Sequence, residues 1–466
     1  MTDLFKLAEN ETTVKKELIA ALTTFSTMAY IIFVNPAILS KAGIDFESAM
    51  IATCIAAATG SILSGVLSNY PFAQAPGMGL NAFFVYTVVF QSGYSWQGAL
   101  AIVFISGVVF IVLTATGLRA AIAHAFPSSI LHAIPAGIGL FITLIGLNNA
   151  GIIDINQGPI IEIISNSNLN SADELIGAIN QAPPQILEFG DFTKTGTLLA
   201  IIGFLIMAIL MVRNIKTAIL LSIVGISILS LVIGHTAVPE QLAFSRFDLS
   251  ATFLKLNFSE LFTSSKNTSL AVIMIDLVMI IIAFTMVDLF DTLGTLYGTA
   301  EKGGFLTKDG KLPRMNKALM ADAIATTFGS LLGTSTTTTY IESGTGIAAG
   351  GKTGLTSVIV GVLFLACIFL APLAGLIPTA ATAPALIMVG VLMIGSIQKI
   401  NFNLLSEAIP AFLVIVLMPF TYSIANGIGA GIIAYTLIRL VTGKTKELNA
   451  ILIVISILFI LKFILL

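Results

Sequence analysis

Hydrophobic runs bounded by charged residues, Pro/Gly or Asn clusters recur along the chain at about 18–39, 47–68, 72–91, 97–117, 128–147, 195–212 and 217–234. A second set follows at about 269–298, 317–332, 335–350, 353–374, 380–397, 404–421 and 424–441, and one apolar stretch, 449–465, is left over. A helix needs roughly 20 mostly apolar residues to cross a bilayer. The pattern therefore predicts fourteen membrane spans, seven and seven, and because seven is odd the second set sits upside down relative to the first. The expected fold class is an all-α polytopic membrane protein of 14 transmembrane segments arranged as a 7+7 inverted repeat.

Two segments break the helical pattern in corresponding places. Residues 71–83, PFAQAPGMGLNAF, and 334–350, TSTTTTYIESGTGIAAG, each begin extended, with Pro or a Ser/Thr run, and continue into a Gly/Ala-rich helix. They are spans three and ten. The separation from span one to the first break, Phe25 to Ala73, is close to that from span eight to the second, Phe284 to Thr336. Interrupted segments in matching positions of two inverted halves point to a transporter binding site. The competing reading is close helix packing, which the Gly346–Gly350 GxxxG would equally serve. Irregular backbone is tolerated in lipid only where it lines a cavity, so the two segments are expected to face each other across one. Each half-helix start then offers free N–H groups and a positive dipole end to a polar ligand.

Composition agrees with a membrane bundle: of 466 residues, 56% are hydrophobic and 10% charged, with a mean hydropathy of +1.01. A net charge of -2 leaves no large basic surface and argues against nucleic acid as a partner. Cys54 and Cys367 lie inside apolar runs, and His124, His132 and His235 are scattered, so neither a disulfide framework nor a metal or other cofactor is expected. Lys15 and Lys16 precede a run longer than a signal h-region, which reads as a retained first span. With the N-terminus cytoplasmic, the inner side carries sixteen of the 22 Lys and Arg, Arg119 among them, and the outer side five, Lys41, Lys194, Arg246, Lys255 and Lys266. That asymmetry satisfies the positive-inside rule.

Span eight, IDLVMIIIAFTMVDLFDTLGTL, holds three acids in one membrane helix. A charge at a helix centre costs about 2.5–3.5 kcal/mol on insertion scales, so deep acids require a reason. Asp276, near the outer end, reads as interfacial. Asp288 and Asp291 are three apart and share a face, with Thr292 and Gly294 beside them. No Lys or Arg within the fourteen spans is expected to pair with them, and Asp322 and Glu407 read as solvated at span ends. Ionising both Asp288 and Asp291 would be opposed by desolvation and mutual repulsion, so a proton is expected on the pair during part of a cycle. Glu342 opens the second half-helix, as a ligand group or as a cap. Asn81 and Gln74 add amides that both donate and accept, Asn35 reads as a helix-end residue, and Phe25 and Phe72 are candidate aromatic walls. These groups suit a small, planar, neutral, hydrogen-bonding solute, and the residues reach a proton-coupled carrier of a polar aromatic solute.

The stretches TTFSTMAYIIFVNPAIL, NYPFAQAPGMGLNAFF, VDLFDTLGTL and TTTTYIESGTGIAAGG, in that order, resemble the AzgA-like purine permeases of the nucleobase-ascorbate transporter superfamily. The resemblance implies a uracil-permease-like fold, with a core domain at 1–126 and 269–378, a gate domain at 127–268 and 379–447, and an apolar C-terminal segment at 448–466 that departs from the pattern. It also implies a multi-pass protein of the cell (inner) membrane, embedded in the lipid bilayer, with a homodimer through the gate domain. Its function would be inward movement of hypoxanthine, guanine or adenine with protons. By motif match, Asp288 and Asp291 stand at the family's span-eight acids, Glu342 at its span-ten acid and Asn81 at its span-three asparagine. Asp291-Thr292-Leu293-Gly294 resembles the superfamily's Glu-x-Ile-Gly. The main-chain N–H of Ile341 and of the stretch Phe72, Ala73 and Gln74 are the matching backbone contacts. Which span-eight acid touches substrate and which handles the proton stays open, with Asp288, Asp291 and Glu342 all candidates for coupling. Other classes are an anion transporter or channel on the same fold, which the span-eight acids oppose, a sodium-coupled nucleobase carrier, and an intramembrane enzyme, for which no Ser-His pair or metal set appears.

Overall fold

The structure is a computed structural model that describes residues 2–119, 126–155, 187–237, 248–262 and 269–465. His124, Arg246 and Lys266 lie outside the described residues. Every one of the fourteen apolar runs folds as helix in whole or in part, because hydrocarbon offers no water to backbone N–H and C=O groups. Span one comprises Val14–Met28 and Ile31–Leu39, span two Phe46–Ser68, span four Trp96–Ala115, span five Ser128–Asn149, span six Thr195–Val212 and span seven Ala218–Val232. In the second half, span eight is Leu270–Gly303, span nine Met315–Leu332, span eleven Gly354–Ala366, span twelve Thr379–Met393, span thirteen Leu405–Phe420 and span fourteen Ile424–Val441. Among the described residues, nine helices are long and apolar enough to cross a membrane, and those of spans three, seven and thirteen are shorter apolar helices. The all-α, seven-plus-seven expectation holds; the sheets are two short two-stranded pairs.

Local chemistry sets the ends. Asp45 Oδ2 accepts the Ser48 N–H at 2.8 Å and caps span two, whose last turn closes on Asn69 in the left-handed region at φ 51. Asn69 then reaches sideways: its Oδ1 accepts the Gly354 N–H at 2.9 Å, at the start of span eleven. There the two backbones touch. A Cβ on Gly65 would lie 2.4 Å from the Gly354 carbonyl oxygen, and one on Gly354 would lie 2.0 Å from that of Gly65. Only glycine at both positions permits this approach.

Two groups of helices follow from the packing. Span two lies against spans nine and eleven, span four against nine and eight, and span one against eleven and the span-ten half-helix. Span five lies against twelve and thirteen, span six against seven and twelve, and span thirteen against fourteen. The apolar tail forms a helix, Ala450–Leu465, about 24 Å long at 1.5 Å per residue. It runs antiparallel to span fourteen: Glu447 meets Arg439 at 3.1 Å, the Ser456 and Thr436 hydroxyls are 2.7 Å apart, and the Phe459 ring lies over Gly429. Its far end reaches span eight, where Lys462 Nζ is 3.5 Å from Asp276 Oδ1. Asp276, expected at the water interface, is instead nearly buried, because this extra helix supplies it with a cation.

Candidate functional site

Spans three and ten are broken, as the sequence pattern indicates. Residues Gln74–Pro76 and Thr337–Thr339 form an antiparallel pair in the register Gln74↔Thr339, Ala75↔Thr338 and Pro76↔Thr337. The Tyr340 N–H donates to the Ala73 carbonyl and the Gly77 N–H to that of Thr336, both at 3.0 Å, so the pairing runs the full width of both breaks. Each strand then turns into its half-helix, Met78–Ala82 continuing as a π-helical stretch to Gln91, and Ser343–Ala348. Because the strands are antiparallel, the half-helices leave in opposite directions and their N-termini converge on the pair.

Around this crossing three acids of the prediction separate into two environments. Glu342 is half-buried at the N-cap position of its half-helix, yet its side chain makes no capping bond; it accepts the Tyr30 hydroxyl from span one at 2.8 Å. The capping reading of Glu342 therefore fails. Asp291 is also half-buried and takes a hydrogen bond from the Thr338 side chain, within electrostatic reach of Glu342, Tyr30 and Tyr340. Tyr340 is itself anchored by donating to the Pro76 carbonyl at 2.6 Å. Next to Asp291, Gly294 and Gly298 face open space, since a Cβ at either would meet nothing within 4 Å, and Ile341 beside Glu342 is 59% exposed. Asp291 of span eight and Glu342 and Ile341 of span ten thus come to accessible positions on one site, and Tyr30 joins them from the first half of the chain.

Asp288 lies elsewhere. It is fully buried one turn back along span eight, and its Oδ2 is 2.9 Å from Arg119 Nη2. The same nitrogen is 2.8 Å from Asp322 Oδ2, Arg119 Nη1 donates to the Leu319 carbonyl at 3.1 Å, and Thr292 Oγ1 donates to Asp322 Oδ1 at 3.3 Å. Two expectations are corrected here. Asp288 has a basic partner after all, and Asp322 is not solvated but fully buried. Arg119 follows the end of span four, where it reads as a loop cation; its long side chain folds back over the Phe110 ring, 4.8 Å away, to reach both carboxylates. One signal marks it in the sequence: no other Lys or Arg occurs between Lys41 and Lys194.

Apart from Phe25, the remaining predicted side chains are buried. Asn81 Oδ1 accepts from the Ser335 hydroxyl, and its Nδ2 has no partner among the described residues. Gln74 packs against Gly60, donates to Thr339 Oγ1 at 3.3 Å, and gives its N–H to Ser61 Oγ at 2.9 Å. The Ala73 N–H, expected to meet a ligand, donates to Ser343 Oγ at 3.0 Å. Phe25 is half-buried edge-on to Phe364, with centroids 5.2 Å apart, while Phe72 is sealed between Tyr70 and Phe305 and walls no open space. Asn35 is no helix end: it is buried inside span one and donates to Thr53 and Thr334 at 2.7 and 2.9 Å, tying spans one and two to the entry of span ten. The Gly346 of the GxxxG does pack, against Thr24 of span one, whereas Gly350 adopts φ 105 and serves the turn.

A seven-plus-seven bundle with two paired breaks and an acidic midpoint is the architecture of a membrane carrier. The transmembrane domain of the cyanobacterial bicarbonate transporter BicA has the same fold, with a TM-score of 0.62 at 16% identity over 90% of this chain and 97% of that one. The sequence matches the Permease family (Xan_ur_permease) over residues 15–174 and 170–430, and the chain belongs to that family: it is a permease and not an enzyme. Adenine permease AdeP of Escherichia coli is 40% identical over 467 residues, 98% of this chain and 95% of that protein. Guanine/hypoxanthine permease PbuO of Bacillus subtilis is 40% identical over 465 residues, covering 98% and 99%. The family read from the four sequence motifs is thus the one matched.

Proposed function

We propose that the protein is a secondary active importer of purine nucleobases, hypoxanthine and guanine foremost and adenine within its range, driven by protons. The observation that carries this reading is the meeting of Glu342, held by Tyr30, with Asp291 beside the open space at Gly294 and Gly298. The two carboxylates are acceptors for the ring N–H and exocyclic N–H₂ donors of a purine, and Ile341 offers an apolar contact for its face. Full-length relatives named for adenine and for guanine/hypoxanthine support the substrate class. An anion such as bicarbonate would be repelled by the same acids.

In this reading the helix group built from spans one to four and eight to eleven is the core, and that of spans five to seven and twelve to fourteen is the gate and dimer face. Rocking of one against the other exposes the site alternately to the two sides of the cell membrane, with the N-terminus in the cytoplasm. Calorimetric titration with hypoxanthine, guanine, adenine, xanthine and uracil is the test. The purines should bind to wild-type protein and uracil should not, and Glu342→Ala should abolish binding by leaving purine donors unpaired, a loss of about 1–3 kcal/mol or more. Wild-type affinity in Glu342→Ala would remove that residue from the site, and absence of any purine binding would sink the reading.

A further inference from the structure

We propose that the coupling proton is carried by the Asp288–Asp322 pair, with Arg119 as its fixed countercharge, which leaves Asp291 and Glu342 to the substrate. This rests on the proton-coupled purine reading above and goes beyond it by giving the proton a site of its own, built from two residues, Arg119 and Asp322, that no sequence motif singles out. Arg119, Asp288 and Asp322 are each at most 1% exposed. Both carboxylates meet the same guanidinium nitrogen, at 2.9 and 2.8 Å. One guanidinium cannot balance two carboxylates. With all three groups ionised the site holds a charge of −1 away from water, a costly state, and one added proton makes it neutral.

The geometry has room for that proton. Held on one guanidinium nitrogen, the Asp288 and Asp322 carboxyls are close neighbours, and two carboxyls share a hydrogen bond only with a proton between them. Asp288 Oδ1 has no hydrogen-bond partner among the described residues and is free to hold a proton, whereas Asp322 Oδ1 is taken by Thr292. The charged groups that face Asp288 are Arg119 from beyond span four, Asp322 from span nine and Asp291 on its own helix. Asp291 is three residues on, about 4.5 Å along the axis. Substrate N–H groups on Asp291 therefore alter the field at the pair without touching it. A proton from the outer aqueous phase adds to one carboxylate, crosses with the core while the purine is bound, and leaves to cytoplasmic water as the carboxylate re-forms.

The experiment uses full-length protein in proteoliposomes, reading counterflow of labelled against unlabelled hypoxanthine, accumulation under an imposed pH gradient, and the hypoxanthine-evoked signal of an external pH dye. Asp322→Asn fixes the pair in its neutral form. Its counterflow should stay within about threefold of wild type while pH-driven accumulation falls to equilibration and the dye signal is lost; Asp322→Glu should keep both, and Asp291→Asn should lose counterflow as well. If Asp322→Asn still accumulates hypoxanthine on a pH gradient, or melts like wild type but no longer binds hypoxanthine in the calorimeter, the proposal is overturned. Should that variant not fold, wild-type protein decides. Dicyclohexylcarbodiimide, which modifies protonated carboxyls in apolar surroundings, should label Asp288 or Asp322, and labelling confined to Asp291 or Glu342 would refute the assignment. Wild type that binds hypoxanthine but follows a sodium gradient defeats this inference alone; wild type that binds no purine defeats the functional reading and this inference with it.

Discussion

Tyr30 and Glu342 stand 312 positions apart in the chain and meet at 2.8 Å. A hydrogen bond to a charged group contributes about 1.5–3 kcal/mol, and here it fixes where the carboxylate points. Tyr30→Phe should therefore weaken hypoxanthine binding roughly tenfold or more while leaving the melting temperature near wild type, measured by calorimetry and thermal denaturation in detergent. Ile341→Ala offers the complementary case. Its side chain is 59% exposed, so the substitution should change stability by no more than about 0.5 kcal/mol and yet raise the KM for uptake. At this scale the acids were legible because a carboxylate in a membrane helix needs a reason to be there. Tyr30 and Arg119 were not, since an aromatic residue in an apolar run and a cation past a span end are both ordinary, and only folding carries them to an acid.

Elements were the most legible level. Twenty apolar residues in lipid have few options besides a helix, and the Pro and Ser/Thr runs of spans three and ten cannot complete one. What the pattern leaves out is which helices touch. The Gly65–Gly354 contact between spans two and eleven lets their backbones meet, and Gly354→Ala should cost about 1–3 kcal/mol by overpacking, seen as a lower melting temperature with hypoxanthine affinity retained in the folded fraction. The tail makes a second element-scale prediction. Its helix runs antiparallel to span fourteen and ends beside Asp276 near the start of span eight, so it should cross the membrane and place the C-terminus outside. A cysteine added after Leu466, in a chain with Cys54 and Cys367 replaced by alanine, should react with an impermeant maleimide in intact cells; reaction only after permeabilisation would mean that the tail does not cross.

For the molecule as a whole, the question is whether the two helix groups move past each other. The span-three half-helix touches the other group through Tyr86, Phe141 and Tyr422, with ring centroids 5.9–6.4 Å apart, and Thr87 Oγ1 donates to the Tyr422 carbonyl at 3.3 Å. Cysteines at Thr87 and Tyr422 should cross-link under oxidation, stop uptake by at least tenfold, and release it on reduction. Unimpaired transport by the oxidised protein would rule out relative movement at this contact.

By itself the sequence determined the number of spans, the two breaks and their matching positions, the acids of spans eight and ten, and the family, because each rests on a local property: apolar length, a missing N–H, a charge in lipid, a run of motif residues. Tertiary structure decided what those acids do. Asp288 and Asp291, three apart on one helix and alike in the sequence, are parted by what packs against them: Arg119 and Asp322 enclose the first, and Thr338 with open space borders the second. A residue's surroundings in a bundle come from other helices, and the reach of Arg119 across two of them is a long-range fact that no local pattern encodes.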